Sequence, residues 1–178
     1  MKKIFLLFAA LVMQSGLSGQ VIFGDAVGTA ADKTSVLMEF SASGDRGLIL
    51  PYVTDKSAIT TPGSIIFDAS TPTAAKAKYY TGTVWVDLNV QPANASSYLA
   101  IQPPAKEKAS AKMIIGANTS AADGILVLES STKAMVLPIT SSYQNIINPA
   151  PGTMALLNNG GLKVLAVYNG EQWSFWNF

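Results

Sequence analysis

The 178-residue sequence predicts an all-β fold made of two tandem, related small units. Three observations lead to it. Apolar runs are short and stop at proline or glycine, as in Leu48-Ile-Leu-Pro51 and Ser64-Ile-Ile-Phe67. Tyrosine, glycine and tryptophan recur at the spacing of a hairpin, Tyr80-x-Gly82-x-x-Trp85 and Tyr168-x-Gly170-x-x-Trp173. And the whole pattern occurs twice in the same order, which marks an internal repeat.

The N-terminal segment stands apart. Met1-Lys2-Lys3 precedes an apolar run from Ile4 to Met13 and a small, polar stretch ending at Gln20. A positive start, a ten-residue apolar centre and a small-residue end have the layout of a secretory signal peptide. The run is too short to span a bilayer, which takes about 20 residues. Residues 1–20 are thus expected to direct export from a Gram-negative cell, to the periplasm, the surface or the medium.

The repeat then begins. Val21-Ile-Phe-Gly24 matches Met113-Ile-Ile-Gly116, and Ala30-Ala31-Asp32 matches Ala121-Ala122-Asp123. Ser35-Val-Leu-Met-Glu-Phe40 matches Ile125-Leu-Val-Leu-Glu-Ser130, which aligns Glu39 with Glu129. Leu48-Ile-Leu-Pro51 matches Met135-Val-Leu-Pro138, Pro62-Gly63 matches Pro151-Gly152, and the two Tyr-x-Gly-x-x-Trp segments match each other. Offsets drift only from 87 residues (Pro51 to Pro138) to 92 (Gly24 to Gly116), as loop insertions would cause. The first unit therefore covers 21–88 and the second 113–178. Between them, 89–112 carries Pro92, Pro103 and Pro104 and the run Lys106-Glu107-Lys108, and reads as an extended linker or loose strap.

Within each unit, runs stopped by proline suit strand ends or edge strands. Short helical turns fit 57–61 and 141–147, before the Pro-Gly pairs. Each unit should close in a three-stranded antiparallel meander. Asn169-Gly170 between two apolar runs predicts a type I′ hairpin turn, and Thr81-Gly82 takes its place in the first unit.

Gly47-Leu-Ile-Leu-Pro51-x-x-Thr54, Pro62-Gly63-Ser-Ile-Ile-Phe and Tyr79-Tyr80-Thr-Gly82-Thr-Val-Trp85 together resemble a GLxLP…PxxG…YYNGTxW repeat. That repeat occurs in exported surface proteins of Bacteroidota and in tail-fibre-like proteins. The second unit departs from it in having Ala134 where the leading glycine would stand. The resemblance implies a surface-displayed or fibrous β unit, often trimeric and sometimes adhesive.

Composition narrows the chemistry. Removing Lys2 and Lys3 from 12 basic residues leaves 10 against 11 acidic ones, so the exported chain has no electrostatic pull on nucleic acid or anionic lipid. Histidine and cysteine are absent, which removes Ser-His-Asp and Cys-His nucleophiles and the usual zinc sites. No cofactor fingerprint occurs. Carboxylates remain for glycosidase chemistry or calcium: Asp25, Asp32, Glu39 and Asp45, of which Asp32 and Glu39 have counterparts in Asp123 and Glu129. Their spacing matches no known loop, and turn or surface roles fit them better. A closing strand of an outer-membrane barrel is disfavoured because stepping back from Phe178 by twos gives Trp176, Ser174, Gln172 and Gly170, which soon lose apolar character.

Charged residues are 13% and apolar ones 49% of the chain, an excess of apolar surface that favours association. The expected function is that of a non-catalytic, cell-surface structural or adhesive β module, acting as a homo-oligomer, with a trimer among the options, or within an outer-membrane-associated assembly. The alternative is a carbohydrate-binding module using Tyr80, Trp85, Tyr168, Trp173, Trp176 and Phe178 as stacking faces, or as interface contacts. Against that, Tyr and Trp duplicated at one offset suit cross-strand pairs that fix register. A carboxylate-dependent hydrolase is the weakest reading.

Overall fold

The computed structural model describes residues 20–24, 28–41, 45–102 and 111–177. Residues 1–19 of the expected signal peptide, Asp25, the 103–110 part of the linker and Phe178 lie outside them. The fold is β-dominant, and no described helix is long and apolar enough to cross a membrane.

In the first unit the strands are β1 (Val21–Phe23), β2 (Val36–Phe40), β3 (Leu48–Ile49), β4 (Tyr52–Val53), β5 (Ile65–Asp68), β6 (Lys76–Tyr80) and β7 (Trp85–Asp87). In the second they are β8 (Met113–Ile115), β9 (Leu126–Leu128), β10 (Ala134–Met135), β11 (Ile139–Thr140), β12 (Thr153–Asn159), β13 (Leu162–Tyr168) and β14 (Trp173–Asn177). Among the described residues one α-helix, α1 (Ser96–Ala100), lies between them.

The meanders are near-copies. β4 runs parallel to β5, and β5-β6-β7 is antiparallel; β11 runs parallel to β12, and β12-β13-β14 is antiparallel. Even the registers agree: Tyr52↔Phe67 and Ile65↔Tyr79 in one correspond to Ile139↔Leu156 and Met154↔Val167 in the other. Each meander starts from a type II turn. Pro62 and Pro151 supply the fixed φ of its second position, Gly63 (φ 84°) and Gly152 (φ 81°) the positive φ of its third. The turn closes with Ser64 N–H donating to Thr61 O in one unit and Thr153 N–H to Ala150 O in the other.

The hairpin turns differ from the sequence expectation. The type I′ geometry falls on Gly160-Gly161 (φ 60° and 92°), which joins β12 to β13. At 169–172 only Gly170 has positive φ, and the loop holds four residues between the paired Tyr168 and Trp173. The cause is the Asn169 side chain. Its Oδ1 accepts from the N–H groups of Glu171 (2.8 Å) and Gln172 (2.7 Å), a bonding pattern that supplies the turn without a left-handed asparagine. In the first unit the Thr81 hydroxyl does the same for Thr83 and Val84. Of the two helical turns expected, 143–145 is a 3₁₀ turn, whereas 57–61 keeps only a hydrogen-bonded turn.

The units do not fold side by side as separate bodies. Alternation along the strands points Phe67 and Ala77 of the first meander, and Met154 and Val167 of the second, into one shared core with Leu50 and Ala95. A second core joins Leu37 and Met38 on β2 to Ile115 on β8. Strands cross over as well. β10 of the second unit pairs in parallel with β2 of the first, and β3 of the first pairs with the start of β12.

The strap is better packed than proline content suggests. Ala93 and Ala95 are buried, and Ala75 and Ala93 exchange backbone hydrogen bonds. Fully buried Asn89 accepts from Ala77 N–H (2.6 Å) and donates to Gln91 O. Asn169 in the other unit donates to the same Gln91 carbonyl (2.7 Å). Residues 89–95 thus act as a hydrogen-bonded filler between the meanders, and buried polar groups there are satisfied as they must be.

Candidate functional site

Two open grooves adjoin equivalent loops, those that lead into the Pro-Gly turns, but at different ends of their meanders: the first at the Tyr80–Trp85 hairpin, the second at the Leu157, Leu162 and Val164 end. The first, about 500 Å³, is lined by Thr54, Asp55, Lys56, Thr60, Tyr80 and Trp85, among others. The second, about 350 Å³, is lined by Ser142, Tyr143, Leu157, Leu162, Val164 and Phe175, among others.

A Tyr–Trp pair frames the first groove, and its counterpart lies outside the lining of the second. Tyr80 and Trp85 are directly opposed across β6 and β7, with ring centroids 5.0 Å apart and planes tilted by 36°. Tyr168 and Trp173 repeat the arrangement at 5.1 Å and 39°. Each tyrosine hydroxyl turns back to its own loop: Tyr80 donates to Gly82 O (3.0 Å) and Tyr168 to Gly170 O (2.9 Å). The duplicated Tyr and Trp are therefore register-fixing pairs, all four of them half-buried. Trp176 has another duty. It is 42% exposed, yet its indole N–H donates to Leu88 O (2.7 Å) and ties β14 to the start of the strap.

What surrounds the pairs differs between units. The outer face of the first meander is a ladder of charge. Lys76 bonds Asp87 (2.7 Å), Lys78 reaches Asp87 (2.9 Å) and Asp68 (3.7 Å), and Lys56 from the loop meets Asp68 (2.9 Å). At the registers of Lys76, Asp68 and Asp87 the second meander has Val164, Leu157 and Phe175. Asp68 is nearly buried. Burial pushes its carboxyl up, but the Ser70 hydroxyl and the Lys56 ammonium more than offset this and hold it below the usual range.

The loops correspond residue by residue. Asp55 accepts from Ser57 N–H (2.9 Å), and Ser142 accepts from Gln144 N–H (3.2 Å), so the residues that follow, Lys56 and Tyr143, are equivalent. Lys56 turns to Asp68. Tyr143 has no carboxylate to meet and lies instead on the aromatic end of its meander, 5.9 Å from Trp173 and 5.3 Å from Phe175.

The candidate carboxylates do not converge. Asp32 is exposed and accepts from the hydroxyl (2.5 Å) and N–H (2.9 Å) of Thr34, bonds that lower its pKa. Asp45 accepts from the Thr140 hydroxyl across the unit boundary (2.8 Å). Glu129 lies exposed beyond the end of β9. Glu39 is fully buried, bonded by Lys33, by Gln20 Nε2 (2.6 Å) and by Ala30 N–H (3.0 Å). Desolvation raises its pKa, but Lys33 and the other two donors prevail and leave it lowered. Pairing register separates Glu39 from Glu129: Phe23↔Phe40 corresponds to Ile115↔Leu128, so the place of Glu39 in the second unit is held by Val127. A two-residue slip kept the glutamates aligned in sequence but not in space. Among the described residues no three acidic groups gather as a metal site would require.

Gly28 and the strap's asparagines are structural residues that sequence reading passed over, and Glu39 enters that reading only as a candidate catalytic or calcium-binding carboxylate. Gly28 carries a legible signal only in hindsight, since a Cβ there would sit 1.9 Å from the Glu39 carboxyl carbon. A scan against protein-family models, a search of curated proteins and a search of solved structures each found no match.

Proposed function

We propose that this chain is an exported, non-catalytic structural or adhesive module of the cell surface that works as a homo-oligomer. The observation that carries the reading is the edge of β9. Inside the chain, β2 holds β1 on one side and β10 on the other. The equivalent strand β9 holds β8 on one side, and among the described residues its other side pairs with no strand. At this strand Ile125 (53%) and Leu126 (40%) are exposed, as is Met113 (56%) on the neighbouring β8. An unpaired, apolar strand edge is a template for a strand of another chain, and natural proteins otherwise blunt such edges with charge or proline. A second copy bonding there would repeat between chains the pairing that β10 makes with β2 within one. The Lys2-Lys3 and Ile4 to Met13 leader supports export.

The test is sedimentation velocity on the chain without residues 1–20, with Ile125→Lys/Leu126→Lys beside it. The wild type is expected to sediment as an oligomer and the charged-edge variant as a folded monomer. A wild type that stays monomeric across a hundredfold concentration range overturns the proposal. Fractionation of the native cell checks export: protein retained in the cytoplasm with Met1–Gln20 uncleaved counts against that part.

A further inference from the structure

We propose that the groove of the first unit binds a neutral saccharide, with Trp85 as the stacking platform and Asp55, Thr54 and Thr60 as hydrogen-bonding rim. The comparison between the two units carries this. In the second unit, Trp173 packs against two rings, Tyr168 and Tyr143, so the protein's own loop tyrosine occupies space beside the indole. In the first unit, Tyr80 is the only ring against Trp85 among the described residues, and the equivalent of Tyr143 is Lys56, drawn away to Asp68 and Ser70. The place filled by an aromatic ring in one copy is open space in the other, and Trp85 lines it.

The chemistry of the rim selects the ligand class. Trp85 offers a flat apolar face with negative charge above its plane, which attracts the polarised C–H bonds on one face of a pyranose. Around it stand mostly hydroxyls, with Ile59 the one aliphatic side chain of the lining. Thr54 and Thr60 make no side-chain hydrogen bond among the described residues. Asp55 is exposed and accepts from the N–H and the hydroxyl of Ser57, and its carboxylate has further lone pairs to accept from vicinal hydroxyls. A phosphate or acidic sugar would find one cation, Lys56, already paired with Asp68. A lipid or apolar peptide would strand the rim hydroxyls. The volume, about 500 Å³, lies within the span of small-ligand sites, roughly 300–1,000 Å³, though its open shape suits weak binding strengthened by several copies. This site stands on copy-to-copy differences in the grooves and holds whether or not the β9 edge assembles.

The experiment is a microarray of neutral and N-acetylated oligosaccharides probed with the folded chain, followed by saturation-transfer NMR on the best glycan. Wild type is expected to bind a subset of neutral glycans, with transfer strongest to the ring protons of one sugar. Trp85→Ala should lose at least tenfold in signal. Because that change also removes a cross-strand pair, Lys56→Tyr is the second variant. It brings the second unit's ring into the first groove and should abolish binding with Trp85 still in place. Tyr143→Lys, in the other groove, should leave binding undiminished. No glycan bound by wild type, or binding that survives both Trp85→Ala and Lys56→Tyr in chains with native circular dichroism, overturns the proposal.

Discussion

The paired type II turns offer a controlled experiment within one molecule. Gly63 and Gly152 share their turn, their preceding proline and their φ, 84° and 81°. They differ in surroundings. A Cβ on Gly63 meets nothing within 4 Å, whereas one on Gly152 lies 3.2 Å from Phe67 Cβ, 3.3 Å from Phe67 Cγ and 3.4 Å from Leu50 Cβ. Both neighbours are core residues, and Phe67 is fully buried. Comfortable carbon contacts begin near 3.5 Å, so the added methyl presses on a ring with no space to retreat into. Left-handed backbone costs a residue with a side chain about 1–2 kcal/mol, and both alanine variants bear that equally. Overpacking adds about 1–3 kcal/mol, and only Gly152→Ala bears it. Gly63→Ala should thus lose about 1–2 kcal/mol and Gly152→Ala about 2–5 kcal/mol. Urea unfolding followed by far-ultraviolet circular dichroism measures both, with unchanged m-values as the check on a common unfolding reaction. Equal losses, or a larger one at Gly63, would refute the claim that the meanders share one tightly filled core.

Other consequences are as direct. Gly28→Ala should destabilise more than either turn variant, because its methyl would displace the sealed Glu39 carboxylate; thermal melting tests this, and a loss under 1 kcal/mol would contradict the burial. The lowered Glu39 and Asp68 carboxyls favour the folded state fully above their unfolded pKa values, near 4. That contribution disappears as pH falls through the depressed folded values, so Glu39→Gln should flatten the acid side of a stability–pH curve. Tyr52 behaves oppositely. Burial, with a smaller push from Tyr98, raises its phenol to about 12, so stability present below pH 10 should fall between pH 10 and 12, and less so in Tyr52→Phe. Trp176→Phe removes the bond to Leu88 O and should cost about 1 kcal/mol in the same urea assay.

Local chemistry made part of this fold legible in advance. Pro-Gly turns, proline-stopped edge strands and tyrosine–tryptophan hairpins each have causes within a few residues, and each appears where the sequence places it. The parallel pairings of β1 with β2 and of β10 with β2 have no such local cause. They join short strands through long connections, and a three-residue strand carries too little alternation to announce its partner. The Glu39–Glu129 alignment failed for the same reason: identity of residue type outweighed a register that only pairing reveals. The grooves were half legible. Their aromatic pairs were evident, but the exchange of Lys56 for Tyr143 matters only once Asp68 and Leu157 are seen to sit beneath them.

The crossing of β10 into the first unit also bears on how the chain is made. β2 waits for a strand that lies 98 residues downstream, from Val36 to Ala134. At ribosomal speeds of about 5–20 residues per second, that is roughly 5–20 s during which the first half has emerged without its closing strand. Half of this molecule is therefore not a smaller folded protein but an open one. In a nascent chain the β2 edge stays open until the second half has followed and β10 can pair with it.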